Sequence, residues 1–184
     1  MLTLEQSVTK YYWMKMYRKL FRAIQQGQYT RVGTTGILRF TFGKRHRYYA
    51  ITTKANGVIR PIAWLYLWQK PKWKAWEVMQ VYVFEKLRGK GLAKRLYSAA
   101  INQDSLIVAS GKTQSRHSRA LWSRFIRSRA FDIFAIDYWD LKARSQVFWD
   151  VEQNELWCEM DIYYAGRWEE QNRDVRLIAT RKEK

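Results

Sequence analysis

Residues 88 to 93 read Arg-Gly-Lys-Gly-Leu-Ala, directly after an apolar, β-like run and directly before a helical pattern. A strand that stops at a glycine-bearing turn and passes into a helix leaves several backbone N–H groups without intrahelical partners, pointing one way. Gly89 and Gly91 have no side chain to keep a ligand off the backbone, and Ala93 is small for the same reason. Arg88, Lys90 and Lys94 add positive charge. The amides of Gly89 through Ala93 are therefore expected to cradle a phosphate or pyrophosphate. The run lacks the terminal Lys-Ser/Thr of a P-loop and is not GxGxxG.

A second set of residues with chemical potential lies near the N-terminus. Residues 4–26 carry Trp13, Met16, Tyr17, Leu20 and Ile24 on one helical face, and Thr3 with Gln6 has the form of a capping box. Opposite them stand Lys15, Arg18, Lys19 and Arg22, spaced i, i+3, i+4 and i+7. Such a row can contact nucleic acid or an anionic membrane, or be the solvated side of a helix packed on a core. These four are the candidate nucleic-acid contacts. Ser115, His117, Ser118 and Asp132 do not make a convincing serine triad, because adjacent positions do not supply the geometry and no nucleophile elbow is present. With Cys158, His46 and His117 as the only thiol and imidazole ligands, no metal site is expected.

The elements that must position these residues follow from periodicity. Runs 36–43, 46–53 and 58–68 alternate as strands, punctuated by turns at Gly43-Lys44 and Asn56-Gly57. Run 76–84 is apolar on both faces, as in a central strand. The pattern then becomes helix 91–102, strand 106–110, helix 118–128 and strand 131–137, with further strands at 156–165 and 174–181. In the first helix Leu92, Leu96 and Ala99 face one way, with Ala93, Tyr97 and Ala100 beside them. The expected fold is α/β: a mixed sheet with an antiparallel N-terminal meander, then a strand-helix-strand half with parallel pairing. The chain reads as a single domain, with an N-terminal helix in 1–30, a core over 36–137 and C-terminal strands in 138–184.

The formal net charge is +18 over 184 residues, and the first 60 residues hold 12 Lys and Arg against one acid, Glu5. With ten Trp, twelve Tyr and eight Phe, this bias fits a nucleic-acid partner, since phosphates pair with cations and exposed bases stack on rings. A lone cysteine implies a reducing compartment. The N-terminal residues lack a secretory pattern, and no apolar run is long enough to span a membrane. A cytoplasmic protein without a transmembrane segment is expected.

Val81-Tyr82-Val83 followed by Arg88-Gly89-Lys90-Gly91-Leu92-Ala93 resembles the signature of the GNAT superfamily of acyl-CoA-dependent N-acyltransferases, Arg/Gln-x-x-Gly-x-Gly/Ala after an apolar strand. Arg88, Gly91 and Ala93 fill its defined positions. The resemblance implies that the loop amides bind the pyrophosphate of acetyl-CoA or another acyl-CoA. It also implies that the strand ending at Val83 splays from the strand 106–110 and pairs its backbone with the pantetheine. Glu77 matches the position of a family general base, and its apolar neighbours would raise its pKa; pairing with a nearby cation is the alternative. The family helix Asn-x-x-Ala-x-x-x-Tyr corresponds to Ser118 through Phe125, and Trp122 occupies the place of the tyrosine acid. An indole cannot do that work, so His117, Ser118 and Tyr97 become the candidates for protonating the thiolate.

The expected function is transfer of an acetyl or related acyl group from acyl-CoA directly to an amine on DNA, RNA, tRNA or an acidic or nucleic-acid-bound protein. The alternatives are a GNAT fold that has lost transfer and binds nucleic acid, and a cationic protein that inhibits an acidic partner, for example one encoded by a phage.

Overall fold

A computed structural model describes residues 4–34, 36–69, 74–111, 115–137, 143–146 and 175–182. The chain forms two compact units, Met1–Gln69 with Met79–Asp104, and Lys70–Val78 with Ser105–Lys184. In chain order the elements are α1 (Leu4–Gln25), β1 (Thr30–Val32), β2 (Ile37–Thr41), β3 (His46–Ala55), β4 (Val58–Gln69), β5 (Trp76–Val83), a 3-10 turn (Glu85–Leu87) and α2 (Leu92–Ser98). A π turn (Ala99–Gln103) continues α2, and β6 (Val108–Ala109), α3 (Arg116–Arg127), β7 (Asp132–Asp137), β8 (Ala143–Gln146) and β9 (Val175–Thr180) follow.

In the first unit β1 to β4 make an antiparallel meander. Asn56 and Gly57 both have positive φ, 51° and 77°, the backbone that a tight two-residue hairpin demands. The β3–β4 ladder is interrupted where Ile51 faces Ala63 but Thr52 faces Pro61, leaving Ile62 as an extra residue beside a proline that has no N–H to give. The freed Ile62 carbonyl accepts from the Phe84 amide at 3.1 Å, which fixes the end of β5. Leu20, Ala23 and Ile24 of α1 pack on Leu38, Phe40, Tyr48, Ala50 and Trp64. The fully buried Trp64 indole donates to Gln80 Oε1 at 3.3 Å, so its polar atom is satisfied. Tyr49, pointing away from its neighbours Tyr48 and Ala50, donates to Asp104 Oδ2 at 2.6 Å, and Arg39 Nη1 donates to the same oxygen at 2.9 Å.

In the second unit the strand order is β5-β6-β9-β7-β8. The parallel β5–β6 ladder is two residues long, Trp76↔Val108 and Glu77↔Ala109, while β9 runs antiparallel to both β6 and β7. Ser115 Oγ caps α3 by accepting from the Ser118 amide at 3.2 Å. Trp122, Phe125 and Ile126 of α3 are buried, and Phe125 meets Phe131 edge-on at 5.1 Å.

The mixed α/β architecture expected from the sequence is the one observed, with several local differences. The parallel pairing expected across the 118–128 helix is not formed: β9 lies between β6 and β7, so those two strands are separated by an antiparallel neighbour. Run 76–84 is not covered on both faces throughout, since Met79 is 49 % exposed. β1 forms outside the strand-like runs of the sequence, at Thr30–Val32, and β8 carries the unpromising sequence Ala-Arg-Ser-Gln. The helix read as 118–128 starts earlier, at Arg116, because Ser115 is its cap. The proposed Thr3 cap and the strand at 156–165 lie outside the described residues, as does Cys158. No described helix is long and apolar enough to cross a membrane.

Candidate functional site

The Arg88–Ala93 loop lies wholly within the first unit. β5 ends with Phe84 held by Ile62, and the 3-10 turn then closes through Leu87 N to Phe84 O at 2.8 Å and Arg88 N to Glu85 O at 3.1 Å. Arg88 Nε reaches back to the Val83 carbonyl at 3.4 Å. Gly89 has φ 79°, and Gly91, the N-cap of α2, has φ 72°. Both conformations are left-handed, so the turn itself needs glycine whether or not a ligand is bound. A Cβ built on either glycine would meet nothing within 4 Å, so the space above the backbone is open.

No side chain caps α2. Its first-turn amides, at Leu92, Ala93 and Lys94, have no carbonyl available within the helix. Arg88, Lys90 and Lys94 are exposed around them, and Leu92 and Ala93 are half-buried. Val81, Tyr82 and Val83 are also half-buried. Tyr82 stacks on Trp64 at 4.4 Å and on Trp13 at 5.5 Å, and burial pushes its hydroxyl above the ordinary tyrosine value, with Arg88 opposing the shift. The arrangement is an open, cationic loop with aligned donors, suited to a pyrophosphate.

The candidate acid and base residues have different surroundings. Glu77, in the second unit, is 5 % exposed, and Oε1 lies 3.2 Å from Arg176 Nη1. Arg176 is itself 1 % exposed and also donates to the Ser110 carbonyl at 3.2 Å. Ser110 Oγ accepts from the Leu177 amide at 3.1 Å, so the ion pair is built into the β5–β6–β9 ladder. Arg176 was not anticipated, although a lone cation in the apolar run Val-Arg-Leu-Ile-Ala-Thr was a usable signal. Tyr97, in the first unit, is fully buried on α2, and burial raises its hydroxyl far above the ordinary range. That environment suits a core residue better than a proton donor. His117 is exposed and Ser118 half-buried, both in the first turn of α3. Trp122 is 0 % exposed and meets Phe125 edge-on at 5.9 Å, so its indole serves the core.

On α1, Lys15, Arg18, Lys19 and Arg22 are all exposed. Among the described residues no three His, Cys, Asp or Glu side chains gather as metal ligands.

The sequence model of the Acetyltransferase (GNAT) family matches residues 11–106, just over half of the chain and including the Arg88–Ala93 loop. No protein of curated function matches. Among solved structures, the chain is similar to an IAA acetyltransferase from Bacillus cereus ATCC 14579, at 21 % identity over 74 % of this chain and 77 % of that one, with a TM-score of 0.35. A putative acetyltransferase from the GNAT family of Bacteroides thetaiotaomicron is similar at 11 % identity over 97 % of this chain and 84 % of that one, with a TM-score of 0.41. On the family match at residues 11–106, the chain belongs to the GNAT acetyltransferase family.

Proposed function

We propose that this chain is an N-acyltransferase that moves an acetyl or related acyl group from acyl-CoA to an amine, the acceptor being nucleic acid or a molecule associated with it. The observation that carries the reading is the open loop at Gly89 and Gly91, where backbone donors and exposed Arg88, Lys90 and Lys94 face unfilled space. When bound there, acyl-CoA supplies an activated thioester. The loop amides hold its pyrophosphate, and the strand end at Val81–Val83 offers backbone groups to its pantetheine arm. The amine nitrogen forms the new C–N bond as the C–S bond breaks, and the proton lost from nitrogen balances the thiolate released.

For the proton steps, Glu77 is the base candidate, its Oε1 lying 3.2 Å from Arg176 Nη1. His117 is the acid candidate with the most accessible side chain, ahead of Ser118 and the buried Tyr97. The buried Trp122 favours a second reading, a binding protein that holds acyl-CoA without rapid transfer. Thermal unfolding with acetyl-CoA at about 100 times its Kd tests the site: binding adds roughly 2.7 kcal/mol, about 5–10 °C at this chain length. Gly91→Asn places a side chain in the open space while tolerating the left-handed backbone, and it should abolish the shift. A wild-type protein that shows no shift contradicts the proposal, and a shift without thiol release in the presence of tRNA or DNA favours the second reading.

A further inference from the structure

The first unit carries a groove of about 560 Å³ alongside α1, outside the Arg88–Ala93 loop. Lys15, Arg18, Lys19 and Arg22 form one wall, and Phe42, at the end of β2, forms part of the floor. Gln26 and Gln28 add side-chain amides that can both donate and accept. No carboxylate lies among the described lining residues. From Lys15 to Arg22 the row runs about 10 Å along the helix axis, enough for neighbouring phosphates of one strand.

Lys19 Nζ sits 3.9 Å from the centre of the Phe42 ring and 5.3 Å from that of Tyr48. Phe42 also stacks on Phe40 at 6.3 Å and meets Tyr48 edge-on at 5.1 Å, so the ring is firmly braced. Burial, and then the neighbouring Lys15, push the Lys19 ammonium below the ordinary lysine value. A cation crowded in this way gains from an anion, and when it swings toward one it uncovers an aromatic face.

We infer that this groove binds single-stranded nucleic acid, with Lys15, Arg18, Lys19 and Arg22 on successive phosphates and an unpaired base on Phe42. The inference deepens the acceptor reading above and rests on it for the identity of the partner. A membrane is the poorer occupant, because an amphipathic helix needs its apolar face to enter lipid. Here Leu20, Ala23 and Ile24 are committed to the core.

Fluorescence anisotropy with a labelled mixed-sequence 12-nucleotide strand, as DNA and as RNA, tests the inference against the matching duplex, inorganic polyphosphate and anionic phospholipid vesicles. The triple variant Lys15→Gln/Arg18→Gln/Arg22→Gln should weaken binding at least tenfold and reduce the slope of log K against log salt by about 2, at roughly 0.7 per phosphate contact. Phe42→Ala should weaken single-strand binding about tenfold with the slope kept. Lys54→Gln/Arg60→Gln, on the exposed β3–β4 hairpin, removes charge elsewhere and should change affinity less than twofold. The inference is overturned if the groove variants bind within twofold of wild type, if duplex or polyphosphate competes as well as the strand, or if the variants lose vesicle binding alone. The acetyl-CoA melting shift, read on the same proteins, separates the two proposals: it should persist in every groove variant, and its absence contradicts acyl transfer while strand binding stands.

Discussion

Replacing Glu77 by Gln keeps the side chain's shape and removes the charge that lies 3.2 Å from Arg176 Nη1. Arg176 is 1 % exposed, so its guanidinium would be left in the interior without that carboxylate. Breaking a buried pair from one side costs about 3–5 kcal/mol; the Ser110 carbonyl still accepts from Arg176, which favours the lower end. For a chain of 184 residues, about 3 kcal/mol lowers the melting midpoint by roughly 6–12 °C. Arg176→Met, which strands the carboxylate instead, should cost a similar amount. The double variant Glu77→Gln/Arg176→Met should then be more stable than the sum of the singles predicts, by about 2 kcal/mol or more in a urea-unfolding cycle. Single variants that melt within 2 °C of wild type, or a double variant showing simple additivity, would refute the reasoning. Activity adds a second comparison: a general base at Glu77 requires that Glu77→Gln abolish transfer while the equally destabilised Arg176→Met retains it.

Gly91→Ala meets no atom within 4 Å but must hold φ 72°, so it should cost about 1–2 kcal/mol by strain alone, seen as a lower melting midpoint with no change in spectra of the folded state. Trp122→Tyr places a hydroxyl at a fully buried position; it should lower stability by about 1–3 kcal/mol in urea unfolding and leave the transfer rate unimproved, because the new hydroxyl would sit in the core. Tyr48, Tyr49 and Tyr97 are all raised above the tyrosine value of 10.0, mainly by burial. The unfolded chain gives up these protons near pH 10 while the folded protein keeps them, so stability is complete below that pH and falls as the pH rises further. Tyrosinate absorbance should therefore show a non-titrating fraction that appears only as the protein unfolds.

Much of this architecture is legible in sequence where one local signal dominates. Asn56-Gly57 announces its turn because few other dipeptides accept two positive φ angles. The apolar stripe of α1 and the glycine-bearing loop are read just as directly. What escapes is set by distant residues. Ala-Arg-Ser-Gln becomes β8 only because β7 offers it an edge, and β1 exists by pairing with β2. Glu77 has apolar neighbours along the chain, yet Arg176, the cation 3.2 Å from its Oε1, comes from 99 residues away. The glycines of the loop are legible as glycines, but the sequence does not show that their backbone angles, φ 79° and 72°, require that residue type independently of any ligand.

The placement of β9 has a consequence for the order in which the second unit can form. β6 and β7 have no common edge until β9 fills the gap between them, and β9 is the last described strand to leave the ribosome. That strand also brings Arg176 to Glu77. Before it docks, the half-built sheet exposes two unpaired strand edges, a state that slows closure and invites association with other chains. The meander of the first unit, whose neighbours are nearly all successive in sequence, has no such wait. Nascent-chain proteolysis should accordingly find residues 30–69 protected early, and protection of residues 106–137 delayed until residues 175–180 have emerged.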